Sequence, residues 1–160
     1  MAISVGSKAP DVTMFSQTPE GIVPIKVSDY AGKKNVVLLF FPAAFTGTCT
    51  KEMCTVRDSM NIYEGLDAEV IGVSPDYPAA LAVWAKHNDL KMPLASDFNR
   101  DAVNAYDIVF QGWGGSMIGV PIRSAFVIDK DSTIRYTHLC PTPGDVPPFE
   151  EIQEVLKSLH

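Results

Sequence analysis

The sequence is poor in several features, and each shortage excludes a class of protein. Its 160 residues include only three cysteines and three histidines, with no Cys-x-x-Cys pair and no clustered histidines. Residues so few and so scattered do not predict a secreted disulfide scaffold, a zinc site or a thioredoxin-type dithiol. The longest apolar run, residues 36–45, is about half the length of a membrane-spanning helix and contains a proline. We therefore expect no metal site, no disulfide framework and no membrane-spanning segment.

Basic residues are also in the minority. The 13 lysines and arginines are outnumbered by 19 acidic residues, which gives a formal net charge of −6. Nucleic acids and anionic membranes are polyanions, so we expect neither as a partner. The chain does not open with a basic segment followed by an apolar core, and we expect a cytoplasmic protein in which any disulfide is transient.

Apolar residues, in contrast, are plentiful. They make up 46% of the chain, which is enough for a packed core, and the length suits one domain spanning residues 1–160. The patterns predict strands at residues 12–15, 22–27, 36–41, 70–74, 92–95, 124–129 and 133–139, and helices at 49–63, 76–87, 100–106 and about 152–159.

The order of these elements is that of a thioredoxin-like α/β fold. Strands followed by helices favour parallel pairing, whereas residues 124–139 have the pattern of an antiparallel hairpin. We therefore predict a mixed central β-sheet flanked by helices, with an N-terminal β extension and an insert before the last hairpin. The Gly-rich residues 111–121 form that insert, which we expect to be a long ordered loop.

One cysteine stands where a buried strand turns into a helix. Pro42 ends the predicted strand, and Cys49 falls in the first turn of the predicted helix, three residues after Thr46. Unpaired backbone N–H groups and the helix dipole favour a thiolate at this position. The Thr46 hydroxyl has three possible partners, namely the helix N-terminus, the sulfur and a bound substrate oxygen.

A reaction between this thiolate and an oxygen electrophile needs a cation that is not a proton donor. Arg123 is the candidate, because it precedes a strand that we expect beside the strand leading to Cys49. The alternative is that Arg123 is an ordinary solvent-exposed charge at a strand end.

Two motifs now give a specific resemblance. Pro42-x-x-x-Thr46-x-x-Cys49 resembles the active-site motif of the peroxiredoxins, and residues 123–129, Arg-Ser-Ala-Phe-Val-Ile-Asp, resemble the second motif of that family. The resemblance runs from residues 6–11 to the last hairpin. It implies that Cys49 attacks the O–O bond of a peroxide and becomes a sulfenic acid.

The resemblance also implies roles for the neighbouring residues. Thr46 would bond to the peroxide, Arg123 would hold the thiolate and the transition state, and Pro42 would shield the site from water. Glu52 matches the carboxylate that orients the arginine in the family. The alternative for Glu52 is an exposed acid near the helix N-terminus, where the dipole favours negative charge.

A second cysteine follows the first by five residues. This spacing of Cys49 and Cys54 resembles the bacterioferritin-comigratory, or peroxiredoxin Q, subgroup, in which the later cysteine resolves the sulfenic acid as an intramolecular disulfide. In an intact helix the two side chains would be about 140° apart, with ~7.5 Å of rise between them. A disulfide needs Cα atoms within roughly 4.4–6.8 Å, so the first turns must unwind. Alternatively, Cys54 is a small buried side chain and an external thiol resolves Cys49. Cys140 is either a structural residue or an alternative resolving thiol.

The resemblance therefore predicts a thiol-dependent peroxidase that reduces hydrogen peroxide and organic hydroperoxides. It implies recycling by thioredoxin or a similar dithiol, no metal, haem or flavin cofactor, and a monomer or a homodimer. The alternative from another class is a thioredoxin-fold chaperone or binding module in which Cys49 takes no part in chemistry.

Overall fold

The computed structural model describes residues 3–112, 116 and 118–160. Within them the strands are β1 (Met14–Thr18), β2 (Gly21–Ile25), β3 (Asn35–Phe40), β4 (Ala68–Ser74), β5 (Leu94–Ser96), β6 (Ser124–Ile128) and β7 (Ile134–Leu139). The helices are α1 (Gly47–Asp58), α2 (Met60–Gly65), α3 (Pro78–His87), α4 (Asp101–Ala105) and α5 (Phe149–Leu159), and residues Val27–Tyr30 form a 3₁₀ turn.

The strands form one mixed sheet in the order β2-β1-β5-β4-β3-β6-β7. Strand β3 pairs in parallel with β4 and antiparallel with β6, and β4 pairs in parallel with β5. The N-terminal hairpin of β1 and β2 extends the sheet at one edge, and the hairpin of β6 and β7 ends it at the other. The predicted thioredoxin-like sheet, with its N-terminal extension, is therefore confirmed.

Two apolar layers cover the faces of this sheet. All six residues of β3 are buried, because its side chains alternate between the two layers. Helices α1, α3 and α5 cover one face, where Met53, Trp84 and Ile152 pack on the sheet. Helix α4 and the β1 strand contribute to the other layer. Met53 lies close to the strand because Gly72 of β4 has no side chain at that point.

The predicted helix over residues 49–63 is wrong in one respect. It is two helices, because the Ser59 N–H bonds to the Val56 carbonyl and Ser59 takes a non-helical conformation (φ −116°, ψ 13°). Spacing alone could not show the break, because Met60 and Tyr63 stay on the apolar face.

The long insert is closed at its base by backbone hydrogen bonds. Phe110 N–H donates to the Val120 carbonyl, and Ile122 N–H donates to the Ile108 carbonyl. Of the predicted loop, residues 113–115 and 117 lie outside the described residues. Across the described part of the chain, no helix combines the length and the hydropathy needed to cross a membrane.

Candidate active site

The turn between β3 and α1 is anchored to the next strand-to-helix junction. Ala44 N–H donates to Asp76 Oδ2 at 2.8 Å, and Ser74 Oγ donates to the same carboxylate oxygen at 2.7 Å. Phe45, next in the turn, takes a left-handed conformation (φ 62°), which is unusual for a residue with a side chain. The turn therefore has a defined shape, and α1 begins directly after Thr46.

Cys49 occupies the first turn of α1 and is 1% exposed. Its sulfur accepts a hydrogen bond of 3.2 Å from Nη2 of Arg123. The guanidinium therefore places a positive charge beside the sulfur, at the positive end of the helix dipole.

Arg123 reaches the site from the start of β6. The pairing of Phe40 with Ser124 places Arg123 beside the end of β3, as the strand order predicted. The residue is 3% exposed, so the alternative of a solvent-exposed charge is wrong. Its Nη1 donates to Glu52 Oε2 at 2.5 Å, and its Nη2 also donates to the Pro143 carbonyl at 3.2 Å. The carbonyl was not predicted, and only the turn-rich sequence after β7 hinted at a loop there.

Glu52 is fully buried, and the alternative of an exposed acid is therefore wrong. Burial raises the pKa of its carboxyl to about 7, although the nearby Arg123 guanidinium acts in the opposite direction. Only one carboxyl oxygen has a partner: Glu52 Oε1 and Arg123 Nε are both buried without a hydrogen bond. The site thus holds one cation between two acidic groups, Glu52 and Cys49.

Thr46 does not cap the helix with its side chain. The residue occupies the N-cap position, but its hydroxyl donates to the Ala43 carbonyl at 2.7 Å. Because that bond uses the hydroxyl proton, the oxygen lone pairs remain available to accept a hydrogen bond.

One pocket brings most of the predicted residues together. Its lining includes Pro42, Thr46, Cys49, Arg123, Val120 and Pro143. The arrangement exposes one face of the buried sulfur to a small apolar cleft that carries a cation and a hydroxyl. Such a cleft can bind a small polar molecule with an apolar substituent and direct it at the sulfur.

Cys54 lies apart from this pocket. It is half-buried, and its sulfur lies 4.0 Å from Oδ1 of Asn88, the residue that ends α3. Helix α1 is continuous from Gly47 to Asp58, and all three cysteines are free. The structure therefore places Cys54 with α3 and does not bring it to Cys49.

Cys140, in contrast, lies close to the arginine. Its N–H donates to the Arg123 carbonyl at 2.9 Å, and it lines a smaller pocket with Arg123, Pro42 and Pro143. Burial raises the pKa of its thiol to about 11, and the charge of Glu52 contributes to this increase. The sequence predicted this hairpin without its register; in the structure Ser124 pairs with Leu139, which places residue 140 beside Arg123.

No group of three or more histidine, cysteine, aspartate or glutamate side chains that could hold a metal ion occurs among residues 3–112, 116 and 118–160.

Comparison with known proteins gives concordant matches. The sequence profile of the AhpC/TSA family matches residues 5–137. The chain is 33% identical to alkyl hydroperoxide reductase E of Mycobacterium bovis, over 90% of both chains. It is 30% identical to the chloroplastic 2-cysteine peroxiredoxin of Chattonella marina var. antiqua, over 99% of this chain and 80% of that protein.

Solved structures agree with the sequence matches. Peroxidoxin BcpB from Mycobacterium tuberculosis superposes with a TM-score of 0.85 at 26% identity, over 99% of both chains. A peroxiredoxin-like protein from Aquifex aeolicus gives a TM-score of 0.88 at 24% identity, over 100% of this chain and 90% of that one, and shows the same fold.

Proposed function

The chain belongs to the AhpC/TSA family and is a peroxiredoxin, a thiol-dependent peroxidase, and from this premise we propose that Cys49 is the cysteine that attacks peroxide. One observation carries the assignment: the buried Cys49 sulfur accepts a hydrogen bond from the Arg123 guanidinium inside a pocket that opens to substrate. Neither Cys54 nor Cys140 has a comparable partner in the described residues.

The attack forms an S–O bond while the O–O bond breaks. The peroxide oxygen that the sulfur does not attack leaves as hydroxide or alkoxide and takes up a proton. The attacked oxygen stays on Cys49 as a sulfenic acid. Arg123 stabilises the charge that moves from sulfur to oxygen, Thr46 accepts the hydrogen bond of the peroxide O–H, and Pro42 limits the access of water. Apolar groups in the pocket, such as Val120, suit organic hydroperoxides as well as hydrogen peroxide.

We propose that Cys54 then resolves the sulfenic acid, forming a disulfide with Cys49 and releasing water. Two observations support Cys54 over Cys140. Cys54 is half-exposed, whereas Cys140 is buried with a pKa of about 11, at which almost no thiolate forms at neutral pH. Cys54 must first leave Asn88 and the start of α1 must unwind. A dithiol of the thioredoxin type would reduce the disulfide, in a reducing compartment such as the cytoplasm.

The test compares three single variants in a peroxidase assay with a dithiol reductant. We expect Cys49→Ser to lose activity, Cys54→Ser to accumulate sulfenic acid, and Cys140→Ser to cycle at the wild-type rate. Wild-type activity in Cys49→Ser would contradict the assignment of the attacking cysteine. Unimpaired disulfide formation in Cys54→Ser would contradict its role in resolution and leave Cys140 as the partner.

A further inference from the structure

We propose that Glu52 carries a proton while Cys49 is a thiolate and releases it when Cys49 is oxidised, so that the buried site keeps one anion for its single cation. This inference rests on the assignment of Cys49 as the residue that attacks peroxide, and it gives Glu52 a role beyond orienting the arginine.

The geometry supports this sharing of charge. Glu52, Cys49 and Arg123 are 0%, 1% and 3% exposed, so water screens their charges only weakly. The guanidinium donates through Nη1 to Glu52 Oε2 and through Nη2 to the Cys49 sulfur. One positive charge compensates one negative charge, and a second anion in the same dry volume would have no counter-ion.

The groups around Glu52 supply no second cation among the described residues. Cys49 lies on the same helix, Arg123 immediately precedes β6, and Cys140 immediately follows β7. Cys140 stays a neutral thiol at neutral pH because burial raises its pKa to about 11, and the nearby negative charge of Asp145 acts in the same direction.

The unpartnered oxygen identifies where the proton sits. Glu52 Oε1 is buried and has no hydrogen-bond partner within the described part of the chain, a position that a neutral carboxyl tolerates better than a carboxylate does. The raised pKa of Glu52, about 7, agrees with this reading but follows from the same burial.

The chemistry balances with this proton. A thiolate and a hydroperoxide need one proton to give a sulfenic acid and an alcohol: Cys49–S⁻ + ROOH + H⁺ → Cys49–SOH + ROH. The sulfur loses its charge in this step, and Arg123 loses one anionic partner. If Glu52 supplies the proton, its carboxylate becomes the new counter-ion, and the solution supplies no net proton. The later step, sulfenic acid and thiol to disulfide and water, changes no proton count.

The experiment measures proton uptake from a weakly buffered, indicator-containing solution when one equivalent of hydrogen peroxide is added to reduced protein. Wherever ultraviolet absorbance shows the Cys49 thiolate, we expect wild-type protein to take up close to no protons near pH 6, rising to close to one per peroxide above about pH 8, where Glu52 is already ionised. Glu52→Gln should take up close to one proton at every pH at which ultraviolet absorbance shows the Cys49 thiolate. Uptake of one proton by wild type near pH 6, or of none by Glu52→Gln with its thiolate present, would overturn the proposal.

A second measurement needs no substitution at Glu52. Infrared difference spectra of wild-type protein near pH 6 should lose the carbonyl band of a protonated carboxyl on addition of peroxide, and Cys49→Ser should show no such loss. An unchanged carboxyl band in wild type would overturn the proposal even if Glu52→Gln fails to fold. Consumption of peroxide by Cys49→Ser would overturn both the assignment of Cys49 and this inference. If Cys49→Ser is inactive but wild-type protein takes up one proton near pH 6, the assignment of Cys49 stands and only this inference is refuted.

Discussion

Replacing Arg123 with methionine removes the one cation of the site while keeping much of the side-chain volume. Three interactions disappear: the 3.2 Å hydrogen bond to the Cys49 sulfur, the 2.5 Å ion pair with Glu52 and the 3.2 Å hydrogen bond to the Pro143 carbonyl. The first belongs to the reaction, because it stabilises charge that moves during the attack on peroxide. The second belongs to folding, because Glu52 is buried without any other charged partner among the described residues.

The hydrogen bond to Cys49 and the ion pair with Glu52 affect different measured quantities. Removing one preorganised donor from a developing charge costs about 2.7–4 kcal/mol, so the rate of Cys49 oxidation should fall roughly 10²–10³-fold. Above about pH 8, where Glu52 is ionised, breaking this buried ion pair from one side costs about 3–5 kcal/mol of folding free energy. The double variant Arg123→Met with Glu52→Gln removes the unpaired acid. It should regain most of that stability but none of the rate.

Two assays separate these effects. Stopped-flow fluorescence or competition kinetics gives the rate of Cys49 oxidation, and urea unfolding gives the free energy of unfolding. Arg135→Met is a matched control, because Arg135 is half-exposed and pairs with Asp129 away from the pocket. It should oxidise at the wild-type rate. A folded Arg123→Met protein that reacts within about threefold of wild type, or a double variant that recovers the rate, would refute the role assigned to the guanidinium.

Three further predictions follow from the structure. Burial raises the pKa of Glu52 from 4.5 to about 7. The stability that Glu52 contributes is therefore present below about pH 4.5 and is lost as pH rises through about 7, so the free energy of unfolding should fall by on the order of 3 kcal/mol. Urea unfolding of reduced protein should show this decline, and Glu52→Gln should lack it. Asn88→Ala removes the 4.0 Å contact with the Cys54 sulfur. Disulfide formation should then accelerate by no more than about threefold, the effect of one weak contact, while the rate of sulfenic acid formation measured by stopped flow stays unchanged. Slower disulfide formation would contradict the idea that this contact holds Cys54 back. Gly72→Ala would place a Cβ 2.7 Å from Leu94 Cδ2 and should lower the free energy of unfolding by about 1–3 kcal/mol. An unchanged urea unfolding midpoint would contradict this and show that α1 and β5 can move to make room for the methyl group.

The sequence predicts best the positions of those residues that follow directly from the order of the strands in the sheet. The uninterrupted apolar run before Pro42 predicted a strand buried on both faces, and all residues of β3 are buried. Once the strand before Cys49 and the strand after Arg123 are neighbours, the two side chains must meet at one sheet edge. Local pattern and topology agree in this part of the chain, so prediction succeeds there.

Other features depend on contacts between distant segments and were not predictable. In its local pattern Glu52 looks like an ordinary surface acid, and only the family resemblance indicated that it would pair with an arginine 71 residues away. Likewise, nothing local to Cys54 indicated that it would lie against Asn88 at the end of α3. The break at Ser59 leaves the apolar spacing unchanged, so periodicity could not detect it.

The most direct test of the account is the product formed when reduced protein receives one equivalent of hydrogen peroxide. Intact mass, a free-thiol count and peptide mapping under non-reducing conditions identify that product. We predict the loss of two hydrogens and two thiols, with a disulfide mapped to Cys49 and Cys54 and a free Cys140. An unchanged mass, or oxidation confined to Cys140 with Cys49 still reduced, would contradict the central claim that Cys49 reacts with peroxide.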